Sequence, residues 1–261
     1  MAGKTRLVRR TQARMCMMKT AMKAAILTAL LLAPALPAQA HGIYITERSK
    51  QIVLIYGEGA DDLDMVKREP LIDTVAAYDA EVKPIKAQHR ISGLAMLVET
   101  ETRPRFVTAI LQNGVWSRMK GGEYEKKGLD EMPGADISTK NIKYAVRIQG
   151  PFAGTVPALP GQTLQIVPAG AIPAMLGQKL TYKVLYKGRP VAGARLINDF
   201  VNDPDAKETV TGSDGTVTFA VRNQGLNVIH AVYDGPSDNP ARYRNVEHTA
   251  TLSFTLEHKP E

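Results

Sequence analysis

The chain has 261 residues, 44% hydrophobic and 23% charged, a composition that excludes a disordered, collagen-like or coiled-coil bulk. Its formal charge of +7 points to a polyanion only until the charges are located. Lys4, Arg6, Arg9, Arg10, Arg14, Lys19 and Lys23 fall in the first forty residues, which hold no acid; the 26 bases that follow equal the 26 acids, so no basic footprint for nucleic acid remains.

Residues 18–40 read MKTAMKAAILTALLLAPALPAQA. Lys19 and Lys23 form a positive start, Ala24 to Leu32 a short apolar run, and Ala38-Gln39-Ala40 a small-x-small cleavage site. This pattern predicts a secretory signal peptide over 1–40, with either Met1 or Met18 as its start. The apolar run is too short to span a bilayer comfortably. The expected product is therefore soluble, periplasmic and without membrane insertion. Cys16, the one cysteine, lies in the leader, so the product cannot form disulfides.

After the leader, Tyr44 to Thr46 and Gln51 to Tyr56 read as strands joined by a polar turn at Glu47–Lys50. An acidic loop carrying Glu58, Asp61, Asp62 and Asp64 follows; it lacks the ligand spacing of an EF-hand and reads as a solvated loop. Segments near 71–79, 81–87, 91–99 and 105–111 are rich in Val, Ile, Thr and Tyr and are separated by Pro, Gly and charge, as β-strands are. Asn113-Gly114 is a hairpin-turn signal. The polar stretch 120–140 reads as loop, and Asn141 to Gln149 as a short helix ended by Gly150-Pro151. The Gly- and Pro-rich stretch 150–161 is the candidate linker between an N-terminal β domain, 41–155, and a C-terminal domain, 160–257.

Beyond the linker, Leu164–Pro168, Lys179–Tyr186, Val191–Phe200, Thr216–Arg222, Leu226–Tyr233 and Thr249–Leu256 are strands at sandwich spacing. Ser213-Asp214-Gly215 reads as a turn. The fold expected is all-β: two β-sandwich-like domains, the second immunoglobulin- or prealbumin-like. In the last strand Ala250, Leu252, Phe254 and Leu256 alternate with Thr249, Thr251, Ser253 and Thr255, and His248 is in phase with the apolar set. His230 is in phase with Leu226, Val228 and Val232.

Cleavage after Ala40 makes His41 the first residue. A terminal His offers its α-amine and its ring Nδ1 to one ion, and one further imidazole completes a three-nitrogen histidine brace. Nitrogen donors in a tetragonal set suit Cu(II) or Ni(II). The other terminal chelate, which needs His at the third position, is excluded because Ile43 stands there. His248 is the first candidate for the distal imidazole and His230 the second. His89, beside Arg90, and His258, in the C-terminal tail, are solvated side chains on this reading.

The mature start HGIYITERSKQIVLIYGEG, the segments YKGRPVAGARL and TGSDGTVTFAVRNQGLNVIHAVYDG, and the final VEHTATLSFTL together resemble a periplasmic domain-of-unknown-function family associated with nickel and cobalt uptake. The resemblance covers nearly all of 41–257, and its second half is also similar to prealbumin-like, peptidase-regulatory-like sandwiches. It implies a divalent transition metal (nickel, cobalt or copper) at an N-terminal His and an envelope transporter or outer-membrane receptor as partner. It also implies that His41 and His248 are the terminal and last-strand ligands.

Three functions compete at this point. The first is a metal-binding protein that feeds or buffers an uptake system. The second is a metal-free interaction or scaffold module. The third is a copper monooxygenase, which needs an exposed aromatic binding face that one Trp and five Phe do not suggest. The chain holds no Gly-x-Ser-x-Gly and no His-Glu-x-x-His, and the expectation is a binding protein rather than an enzyme.

Overall fold

A computed structural model of the chain describes residues 41–258, so the expected signal peptide over 1–40, with Cys16, lies outside the described residues. Gly42–Arg48 (β1) and Gln51–Glu58 (β2) pair antiparallel, Gly42 facing Gly57 and Arg48 facing Gln51. The two turn residues, Ser49 and Lys50, both take positive φ (49° and 64°), the twist that a two-residue hairpin requires. Asp61–Asp62 (β3) adds to β2, and a 3₁₀ turn, Val66–Leu71, leads to Ile72–Tyr78 (β4) and Pro84–Ile85 (β5). Ala87–Ser92 (β6) and Ala95–Thr100 (β7) form a hairpin where one segment, 91–99, was expected.

Phe106–Arg118 (β8) runs unbroken through Asn113-Gly114. The hairpin expected there is instead a bulge: Gly114 takes φ 90° where the register against the next long strand shifts. Tyr124–Glu125 (β9) is a short excursion in the expected loop. Ile137–Ile148 (β10) replaces the helix expected over Asn141–Gln149. Its Ile142, Tyr144 and Val146 face one way and Lys143, Ala145 and Arg147 the other, and a strand covered on both faces loses the simple alternation that marks a half-exposed one.

The C-terminal strands are Leu164–Pro168 (β11), Lys179–Tyr186 (β12), Arg189–Pro190 (β13), Arg195–Ile197 (β14), Thr209–Val210 (β15), Thr216–Ala220 (β16), Gly225–Pro236 (β17) and Asn245–Leu256 (β18). Among the described residues no helix is long and apolar enough to cross a membrane.

The all-β expectation is met, with the strands in three sheets. The first has the order β1-β2-β7-β6, with β3 on β2. The central sheet runs β15-β14-β17-β18-β10-β8-β4-β5, with β9 on β8. The third is β11-β12-β13, with β16 on β12. One face of the central sheet sets Val107, Ala109, Leu111 and Ala145 against Ile43, Ile45, Leu54 and Tyr56 of the first sheet. The other face sets Phe106, Tyr144, Val146 and Leu252 against Leu164, Ile166, Leu180 and Tyr182 of the third. Two sandwich interfaces thus share one middle layer.

The stretch 150–161 lies between β10 and β11. Strands from before and after it nevertheless join one sheet, because β10 and β18 pair in parallel from Thr139/Asn245 to Arg147/Ser253. Burial on both faces is the usual condition of parallel pairing. It also reassigns the polar side of β18: Thr249, Thr251 and Ser253 are buried beneath the first sheet. There the Thr251 hydroxyl donates to the Ile43 carbonyl at 2.7 Å, and the Ser253 hydroxyl donates to that of Ile45. These two bonds satisfy carbonyls on β1, an edge strand.

Candidate metal centre at the first strand

His41 sits immediately before β1, over the face of the central sheet that the first sheet covers. Its side chain is 47% exposed, and Nε2 lies 3.5 Å from Glu58 Oε2. The ring is 5.9 Å, centroid to centroid, from that of Tyr56, and the Arg68 guanidinium lies 3.8 Å from the Tyr56 ring centroid. The His41 carbonyl accepts a hydrogen bond from Lys143 Nζ. Partial burial, with the Lys143 and Arg68 charges, holds the His41 ring below its ordinary pKa and so favours the neutral, ligating form. Burial and Asp205 push the Glu58 carboxyl up.

Lys143 comes from β10 and is 2% exposed. Burial lowers its ammonium to about 8, against the opposing pull of Glu247 and Glu58. Glu247, on the same face of β18, is itself pushed up by burial.

His230, on β17, belongs to this same face, because it stands opposite Thr251 in the antiparallel register. It is 3% exposed, with its ring flat on Phe200 at 4.3 Å between centroids and 8° between planes. The main chain of Gly42 rests on this stack: a Cβ at Gly42 would come within 2.9 Å of Phe200 Cε1 and 3.5 Å of His230 Cδ2. Only glycine leaves that room for the residue next to His41. His230 Nε2, the atom bonded to Cδ2, is buried with no hydrogen-bond partner. Burial, then Lys143 and Arg195, push the ring down to about 3, so it is neutral with a bare nitrogen.

His248 faces the third sheet instead. It stands opposite Tyr233, one step out of phase with Thr251 and His230. It is 4% exposed and stacked on Tyr144 at 5.8 Å, with Nδ1 3.1 Å from the Tyr144 hydroxyl and Tyr186 edge-on at 5.3 Å. Burial takes it down to about 4. The central sheet therefore brings His41 and His230 to one side and sets His248 on the other.

The remaining polar candidates have local roles. His89 Nε2 contacts Glu69 Oε1 at 3.0 Å, and His258 is exposed beyond β18. In the acidic loop Asp62 and Asp64 accept main-chain N–H bonds from Asp64 and Lys67. Asp214 accepts from Thr216 N at 3.0 Å with Gly215 at φ 75°, the turn that Ser213-Asp214-Gly215 predicts.

Among the described residues no group of three or more His, Cys, Asp or Glu side chains could hold a metal ion. A brace needs only two imidazoles, its third donor being an amine freed by processing. Sequence reasoning missed Lys143, Phe200 and Glu247 at this site, since nothing local marks a lysine in a strand as buried.

The sequence pattern of the family described as Domain of unknown function (DUF4198) matches residues 38–235. An uncharacterized protein of Haemophilus influenzae (strain ATCC 51907 / DSM 11121 / KW20 / Rd) is 26% identical over 218 residues, covering 82% of this chain and 91% of that protein. No solved structure matches the chain.

Proposed function

Since the chain belongs to the DUF4198 family, whose description carries no activity, its function has to be read from its own residues, and we propose that it is an exported binding protein for a divalent transition metal. On this reading Cu(II), Ni(II) or Co(II) is cargo held by the α-amine and ring of His41, unmasked by cleavage after Ala40, and by the ring of His230. The protein hands the ion to, or buffers it for, an envelope transporter or receptor.

The observation that carries the reading is His230 Nε2. A buried ring nitrogen without a partner is costly in either tautomer, and it lies beside the residue that follows His41; in the tautomer with the proton on Nδ1 it is free to ligate. Three nitrogen donors fit the softness and geometry of copper and nickel. His248 is the weaker ligand, because its Nδ1 already meets Tyr144 and the central sheet intervenes.

The test is native mass spectrometry of the protein beginning at His41, titrated with Cu(II), Ni(II) and Co(II). One ion per chain is expected. His41→Ala, His230→Gln and a variant with one extra residue before His41 should each lose it, whereas His248→Gln should keep it. Uptake should fall on acidification, because amine and imidazole must release protons to bind. Equal uptake by the parent and all four variants, or none by the parent, would overturn the assignment.

A further inference from the structure

We infer that Lys143 is a positioning residue for the first residue of the processed chain, its ammonium gripping the His41 carbonyl so that amine and ring are held in one setting on the face of the sheet that also carries His230. The functional meaning of this rests on the metal reading above; the grip itself does not.

Five observations lead here. Lys143 stands where β10 is covered on both faces, a position where an apolar side chain of similar length is cheaper. Among the described residues its side chain makes one hydrogen bond, to the His41 carbonyl, and no carboxylate lies within ion-pair distance. A buried ammonium spent on a single main-chain oxygen is an expensive way to hold a strand that is already paired. β1 itself needs no such help, since its ladder to β2 begins at Gly42/Gly57.

His41 is the residue that does need it. It precedes the ladder, its side chain is half exposed, and after processing it is a chain end, the place where order is lost first. A five-atom chelate from amine to Nδ1 turns as a unit about the Cα–C bond of residue 41. Fixing the carbonyl oxygen at the far end of that bond fixes the platform against which the unit rotates. Finally, Lys143 shares its face of the central sheet with His230, since it stands opposite Thr249 on β18 as His230 stands opposite Thr251, and its charge is felt by both rings.

Charge and grip predict opposite signs, which makes the inference decidable. Removing a nearby positive charge alone tightens a divalent cation. Losing the grip weakens it, by roughly 10–100-fold if Lys143 behaves as outer-shell partners usually do. The experiment compares exported, processed parent with Lys143→Met, which deletes the donor, and Lys143→Arg, which restores it.

Two readouts are taken: 13C relaxation of His41 Cε1 in metal-free protein and Cu(II) affinity, with thermal unfolding to check that each variant is folded. Loss of ring order and weaker Cu(II) in Lys143→Met, both recovered in Lys143→Arg, support the grip. A Met variant whose ring is as ordered as the parent's, with Cu(II) bound equally or more tightly, overturns it while leaving the metal site intact. A parent that takes up no Cu(II), yet whose ring loosens in Lys143→Met, overturns the metal reading and leaves the grip standing.

Discussion

Lys143→Met should make the metal-free protein more stable at neutral pH, and the size of the gain follows from the fold. The ammonium is lowered from 10.5 to about 8, with burial as the largest cause; Glu247 and Glu58 oppose the shift and Arg68 adds to it. A difference of about 2.5 pKa units is worth about 3 kcal/mol, since each unit is about 1.4 kcal/mol. The substitution also removes a charge-assisted hydrogen bond to the His41 carbonyl, worth about 1.5–3 kcal/mol when the oxygen is left bare and less when water reaches it. The expected net gain is about 1 kcal/mol, within the range seen when buried charges give way to apolar groups.

The pH dependence is the sharper signature. Between about pH 8 and 10.5 the folded state binds fewer protons at this site than the unfolded state, so the parent gains stability as pH rises through that window. The Met variant lacks this rise, so its advantage is full below pH 8 and reverses within the window, where the parent gains about 3 kcal/mol against a difference of about 1 kcal/mol. Urea unfolding at pH 7, 8, 9 and 10 measures both curves. A Met variant that is clearly less stable at pH 7 and follows the parent's slope would refute the claim that this ammonium is held buried at a cost.

Two further outcomes follow from the buried rings and from the contact beneath β1. His230 and His248 are held at about 3 and about 4, so the folded state binds fewer protons than the unfolded one from about pH 6.5 downward. Stability is then full above pH 6.5 and falls as acid approaches those values; Lys143 and Arg195 face His230, and Lys187, Lys140, Asp234 and Asp238 surround His248. His230→Phe or His248→Phe should flatten part of this acid limb in thermal unfolding, and a limb unchanged in both would contradict their burial as neutral rings. Gly42→Ala drives a Cβ to 2.9 Å from Phe200 and should cost about 1–3 kcal/mol while weakening metal uptake; an unchanged melting temperature would mean that the Phe200–His230 stack is looser than described.

Much of the strand inventory was legible because it is written locally. Leu164–Pro168 and Lys179–Tyr186 have the bounds that β-rich runs between turn residues imply, and the Glu47–Lys50 turn closes on Ser49 and Lys50. Of the strands misread, β10 and the middle of β8 lie in the centre of the middle sheet. Lys143 and Arg147 on β10 are buried charges, so a rule that sends polar residues to solvent assigns them to the wrong structure.

The order of residues by itself determined the phase within each strand: His248 travels with Ala250 and Leu252, and His230 with Val228 and Val232. It could not determine that these two sets look in opposite directions. That was decided by the register of β17 against β18, which sets Tyr233 opposite His248 and Thr251 opposite His230, and by the first sheet folding back over one side of the central layer. Register and layering arise from contacts between residues far apart in the chain, up to 208 positions for Thr251 and Ile43, and no local pattern encodes them.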